Sequence, residues 1–514
     1  MKANKYLLIL LAFLPLLLFR DFTPDNELKY LSIADEAIRN GNFFTFTNHG
    51  LIYADKPPFY LWIVMLGKLL FGTHSMLFLG MFSVIPALVV LYVMDKWIAS
   101  EVDLSNRISA QLMLITTGFF LGAAVVLRMD MLMCMFIVLS LYTFYQMYEG
   151  KGTKWSGFLF AFYVFMALFT KGPIGLLVPL LSVVAFLAVK GELRTIGRYW
   201  GIKTWGILLI CSAVWFSGVY IEGGNAYLNN LLFNQTVNRA VDSFHHKKPI
   251  YYYFEVIWHC LAPWSLLCVG VIIAGLKAKI IRTDLEKFFL TVITVTFVGL
   301  SLISAKIEIY MLPAFPFFIY LTIMLWQKVR LNKFVSALIA IPTVILGLAL
   351  PVVLVLGRFK SMTMLNNPII YIACGLLTVV AILTLLSLYK RKDLHRAVNI
   401  LAGGLLLVIF TGSFSIPSFN EYIGYKELCS KGKEVARHKG IKTYYIYNPN
   451  RMGNIDVYLE HELKDWKELE ADSISSSKAI LFVRTRDISR DSLLKQKVAG
   501  KEQFTKGNCT VVIF

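Results

Sequence analysis

The feature that most constrains this chain is a succession of apolar segments, about thirteen in number, each near the roughly 20 residues that a helix needs to cross a bilayer. They lie near 5–19, 76–98, 108–127, 129–148, 156–170, 173–189, 204–222, 256–276, 287–304, 309–326, 334–356, 368–389 and 397–415. Composition points the same way. Of 514 residues, 57% are hydrophobic and 16% charged, whereas soluble domains carry about 25% charged residues. A soluble core cannot hold that excess, because apolar side chains would have to cover the outside as well. The chain therefore reads as an all-α polytopic membrane protein, and disordered, collagen-like and small disulfide-scaffold classes are excluded. The first segment follows Lys2 and Lys5 as a signal peptide would. Phe19-Arg20-Asp21 offers no small-residue cleavage site, so this segment is expected to stay as an anchor.

The net charge of +19 would suggest nucleic acid in a soluble protein. Here it follows from cytoplasmic loops, which collect Lys and Arg. With the N-terminus inside, the inner connections hold about twenty basic residues and the short outer ones about five, so the rule sets the chain N-in. Those five are Arg128, Lys171, Lys306, Arg358 and Lys360. Thirteen spans then put the C-terminus outside. Residues 1–415 form the transmembrane domain, with long outer loops at 20–75 and 223–255. Residues 416–514 form a polar tail in which helix-like stretches (421–438, 456–464, 487–498) alternate with strand-like ones (442–448, 479–484, 509–514), the pattern of a small α/β domain. Cys429 and Cys509 both lie in it, where an oxidising compartment would allow a disulfide; two free thiols are the alternative.

The unusual polar residues gather on the outer side. In the first loop, Pro24 followed by Leu28, Leu31, Ala34 and Ile38, with a stop at Asn40-Gly41, predicts an amphipathic helix on the membrane surface. Asp25 and Glu27 sit at its N-terminal end, where acids also simply complement the helix dipole. Asp55-Lys56-Pro57-Pro58 sets an acid and a base beside a turn whose prolines donate no backbone hydrogen bonds. Thr170-Lys171-Gly172-Pro173 breaks two apolar helices, and Ser304 to Pro313, carrying Lys306 and Tyr310, lies between two more. Lysines at span ends also snorkel to the interface without further purpose. The second loop carries Arg239, His245 and His246. With Asp55, the two histidines are candidate ligands for a divalent metal, zinc or similar, although no standard zinc spacing is present. A cationic pocket at the membrane interface suits a lipid whose head carries phosphate.

Taken in order and sidedness, these motifs resemble the polytopic polyprenyl-phosphate-sugar-dependent glycosyltransferases, a family that includes protein O-mannosyltransferases and the ArnT-like lipid A aminoarabinose transferases. The carrying residues are Asp25-Asn26-Glu27, Lys56-Pro57-Pro58, Thr170-Lys171-Gly172-Pro173 and Ser304 to Pro313. The resemblance implies a GT-C-type fold and an inverting transfer of one sugar from a polyprenyl (undecaprenyl) phosphate at the outer face of a bacterial inner membrane. It implies that Lys56, Lys171, Lys306 and Tyr310 hold the donor phosphate, to which the cationic outer face adds Arg239 as a further candidate, and that Asp25, with Glu27 or Asp130, serves the acceptor. An already anionic lipid A phosphate needs no strong base; a protein Ser/Thr hydroxyl does. The sequence departs from the family in one place. Counting back from Lys29-Tyr30 puts Asn26 where the family has its Asp, and one residue is about 100° on a helix. The competing readings are protein O-glycosylation and, in another class, a transporter or flippase, which expects charges near the bilayer midplane. The charges here lie at the outer ends.

Overall fold

The computed structural model of the chain describes all residues except 1, 25, 233–246, 327, 329–332, 449–451 and 467–477. Among the described residues eight helices are long and apolar enough to cross a membrane, and two bent pairs bring the total to ten. Every one of the thirteen apolar segments is helical, but three of them, Lys5–Phe19, Ser156–Lys171 and Ile174–Lys190, are shorter apolar helices of 10–17 residues. A fourth short apolar helix, Phe59–Phe71, lies within residues 20–75; at 13 residues it is below span length. The bends fall between Leu104–Ile115 and Gly118–Val125, at 67°, and between Tyr252–Cys260 and Ser265–Lys277, at 118°.

Burial orders the bundle from its centre outward. Within Glu308–Trp326, 89% of the span is covered by protein, against 17% for Lys333–Leu356 and 22% for both Pro368–Tyr389 and Leu394–Ser413. The first therefore runs through the middle, and the last three present most of their surface to lipid. Connections assigned to the inside by charge come together at one end. There Asp95 pairs with Arg107 at 2.9 Å and Lys5 at 3.7 Å, Lys190 with Asp284 at 2.7 Å, and Lys328 with Glu286 at 2.5 Å.

At the other end sits the predicted loop helix, Glu27–Asn40, closed by Gly41 in the left-handed conformation at φ 71°. It differs from the expected surface helix. Leu28, Leu31 and Ala34 are buried as their spacing requires, and so are Ser32, Glu36 and Ala37 on the other side. The C-terminal domain covers that second face: Ser32 Oγ donates to Asp456 Oδ2 at 2.8 Å, and Asn48 Nδ2 to Asn454 Oδ1 at 3.2 Å. The covering partner lies over 400 residues away in sequence, so local periodicity carried no trace of it.

The C-terminal domain holds a five-stranded sheet in the order Lys464–Asp465, Thr443–Ile446, Ala479–Arg484, Cys509–Ile513, Glu502–Lys506. The first three strands run parallel, and the last two pairings are antiparallel. Successive side chains of the central strand point to opposite faces. Ile480 and Phe482 pack under helix Lys426–Lys439, and Leu481 and Val483 pack with Leu494 and Val498. The edge strand Glu502–Lys506 is mostly polar, and a sequence reading for apolar strands passes over it. Cys429 and Cys509 share the first apolar layer as free thiols.

Asp456 gives this docking a pH dependence. Among the described residues its Oδ1 is buried without a hydrogen-bond partner, and burial raises its pKa above the ordinary aspartate range. The folded state then holds the proton to higher pH than the unfolded chain, so stability falls as pH rises from the unfolded value of about 3.9 through the raised one. Asp456→Asn keeps an acceptor for Ser32 and removes the buried charge. Thermal unfolding of the purified protein should show the variant more stable than wild type at neutral pH, with the gain vanishing below about pH 4. A variant less stable at neutral pH would contradict this.

Candidate active site

Three of the sequence motifs converge on one cavity of about 260 Å³. Ala54, Asp55, Lys56 and Pro57 come from the first loop, Lys171, Gly172 and Pro173 from the helix break, and Ile303, Ala305 and Tyr310 from the approach to the central helix and its first turn. The rest of the wall is apolar, with Leu168, Leu177, Trp215, Phe216, Leu231 and Leu232.

Each polar element is held by specific local chemistry. At the helix break, Gly172 takes φ 93°, a conformation that side chains disfavour. Gly175 then lets the returning helix close on its partner, since a Cβ there would lie 2.2 Å from the Ala167 carbonyl carbon. The turn around Asp55 is fixed from the long helix Ile202–Asn229. Tyr227 donates its hydroxyl to the Tyr53 carbonyl at 2.7 Å and accepts from Phe46 N at 3.0 Å. Glu222 accepts the backbone N–H groups of Phe43 at 2.9 Å, Phe44 at 3.0 Å and Thr45 at 2.7 Å. The sequence reading missed Glu222, Tyr227 and Gly175. A hydrophobic run ending in a polar loop gives no sign that an acid at its end caps a distant backbone.

Inside the protein, Lys171 Nζ donates to Asp130 Oδ1 and lies 4.8 Å from the centre of the Tyr310 ring. Both charged side chains are almost wholly buried, at 2% and 1% exposure. Arg128 Nε sits 2.9 Å from the other Asp130 oxygen, an ion pair without hydrogen-bond alignment. Lys56 lies near enough for its charge to act on Asp130. Tyr30, on the loop helix, packs edge-on against Tyr60 and hydrogen-bonds Tyr53; burial pushes its hydroxyl up to about 12, so it stays protonated. Lys29 Nζ stands 4.7 Å over the Tyr53 ring.

The remaining predicted residues fall elsewhere. Lys306 is 3% exposed and directs Nζ to the Lys248 carbonyl at 3.0 Å, outside the cavity lining, and its burial lowers its pKa. Glu27 is buried, with its carboxylate taken up by Arg20, Thr23 N and Leu127 N. Asp25, Arg239, His245 and His246 lie outside the described residues. Of the candidate metal ligands only Asp55 can be placed, and among the described residues no group of three or more His, Cys, Asp or Glu side chains converges to hold a metal ion.

A mostly apolar cavity whose polar lining is two ammonium groups, a phenol and the Asp55 carboxylate fits an amphiphile with an anionic head. No protein-family model matches the chain. An uncharacterized protein of Aquifex aeolicus is 24% identical over 456 residues, covering 86% of this chain and 85% of that one. The undecaprenyl phosphate-alpha-4-amino-4-deoxy-L-arabinose arabinosyl transferase of Edwardsiella ictaluri is 23% identical over 302 residues, and that of Shewanella sediminis 26% over 312. These alignments span little more than half of each transferase, 53% and 56%. In fold, the crystal structure of ArnT from Cupriavidus metallidurans bound to undecaprenyl phosphate superposes with a TM-score of 0.75 at 15% identity, covering 99% of this chain and 96% of that one. The chain thus resembles the ArnT-like polyprenyl-phosphate-sugar glycosyltransferases in sequence and shares their GT-C fold.

Proposed function

We propose that this protein transfers a single sugar from an undecaprenyl-phosphate donor to a lipid A-type phosphate acceptor at the outer face of the bacterial inner membrane. The observation that carries the reading is the convergence of Lys56, Lys171 and Tyr310, with Asp55 beside them, on a mostly apolar cavity. The polyprenyl tail would lie along the apolar wall, with its phosphate against the two ammonium groups and the Tyr310 hydroxyl. The acceptor oxygen attacks the anomeric carbon from the face opposite the phosphate. The bond to the phosphate oxygen breaks, and that oxygen takes the electron pair. Charge develops on the leaving phosphate, where the lysines are placed to offset it. An acceptor phosphate is already anionic, so orientation suffices, and Asp25 is the residue we assign to it; Asp130 is committed to Lys171. In this reading the N-terminus is cytoplasmic and the C-terminal domain periplasmic, as the Lys/Arg asymmetry requires.

Mass spectrometry of lipid A and of envelope glycoproteins, with and without the gene, tests the proposal. A sugar on a lipid A phosphate that depends on the gene is the expected result. A gene-dependent sugar on protein would replace the acceptor, and no change in either fraction would overturn the transferase reading.

A further inference from the structure

We infer that Arg20 and Glu27 form a clamp that positions the Arg128–Asp130 segment, and through it Lys171, for the reaction; the inference rests on the proposed transferase function. Arg20 closes the first membrane helix, and its guanidinium grips Glu27 with two parallel bonds, Nη1 to Oε2 at 2.6 Å and Nη2 to Oε1 at 2.7 Å. The same Nη2 donates to the Val125 carbonyl at 3.2 Å. Glu27 then accepts Leu127 N on Oε1 at 2.8 Å and Thr23 N on Oε2 at 2.7 Å. One carboxylate therefore receives four donors, and its side chain is 0% exposed. Such a group is an acceptor hub with no room to shuttle a proton.

The clamp ties three pieces of chain that are distant in sequence: the end of the first helix, the start of the loop helix, and residues 125–127. Immediately after them come Arg128 and Asp130, and Asp130 holds Lys171 against the Tyr310 ring. Displacing the backbone at Val125 and Leu127 displaces the Asp130 carboxylate, and Lys171 with it. Lys171 borders the cavity and Glu27 does not, so its placement depends on a residue outside the lining. Misplacing a charge by about 1 Å can cost as much as 100-fold in rate.

The geometry separates a clamp from a simple ion pair. Exchanging the two residues, Arg20→Glu with Glu27→Arg, restores a salt bridge but leaves Thr23 N and Leu127 N without an acceptor. Glu27→Gln keeps the shape and turns a donor group toward donors. We expect Glu27→Gln, Arg20→Lys and the exchanged pair each to lower kcat about 10- to 100-fold. The donor KM should stay within about threefold of wild type and the pH profile should not move, because Glu27 is not among the residues that line the cavity. Amide hydrogen exchange over residues 125–130 should rise in the same variants while the rest of the bundle stays protected. Three outcomes would overturn the clamp: wild-type kcat in Glu27→Gln, recovery of wild-type kcat in the exchanged pair, or a displaced acid limb in Glu27→Gln. Lys56→Ala run alongside keeps the two inferences apart. Full turnover in that variant defeats the assigned donor site, whereas the hydrogen-exchange result bears on the clamp whatever the activity.

Discussion

Lys56→Ala is expected to lower sugar transfer by at least about 100-fold, the loss typical of removing one donor aimed at developing charge, while the protein remains folded in membranes. The fold should survive because the turn carrying Lys56 is held by its neighbours. Tyr53 N donates to the Phe46 carbonyl at 2.8 Å, Tyr227 holds the Tyr53 carbonyl, and Pro57 and Pro58 restrict the backbone before helix Phe59–Phe71. The loss in rate should be large because the cavity wall is apolar. A charge there acts in a medium far less polarisable than water, so little else can offset the leaving phosphate. Lys56→Arg keeps the charge with a different reach and should retain part of the activity. The check is turnover of a radiolabelled lipid-linked donor in proteoliposomes, with thermal unfolding as the folding control. Wild-type turnover in Lys56→Ala would remove Lys56 from the mechanism.

How much of this was legible beforehand depends on how local each signal is. The apolar helices were legible because hydrophobicity over about 20 residues needs no partner to be recognised. The two short helices divided at Gly172-Pro173 were legible in the same way, whereas the 67° and 118° bends inside two of the segments were not. Lys56, Lys171 and Tyr310 were legible as odd polar residues at span ends, and the structure does bring them to one cavity. Lys306 carried the same signal and is turned toward the Lys248 carbonyl instead. Side-chain direction within an irregular segment is set by tertiary contacts that sequence does not record. Glu27 shows the same difficulty in another form. An acid at a helix start reads equally as a dipole complement or a reactive group, and only the four donors around it, three of them from residues 20 and 127, distinguish a structural hub.

Asp130→Ala is expected to destabilise the protein severely, and far more than Lys171→Met. Asp130 faces two cations, so its removal leaves the Lys171 ammonium and Arg128 beside each other with no counter-charge. Breaking a buried pair in this way costs about 3–5 kcal/mol, unless Lys171 gives up its proton. Removing Lys171 instead leaves Asp130 still paired with Arg128, so the cost should be smaller. The double variant, Asp130→Asn with Lys171→Met, takes both buried charges away and should recover most of the stability, because a matched apolar or neutral replacement of a buried pair is often neutral. It should not recover transfer, since the donor phosphate then lacks one of its two ammonium groups. Thermal unfolding and donor turnover measured on all three variants separate the two roles. A double variant with both wild-type stability and wild-type turnover would reduce the pair to packing. An Asp130→Ala protein as stable as wild type would show that the Lys171 charge is not confined by Asp130, and would leave the Arg20–Glu27 clamp with nothing to position.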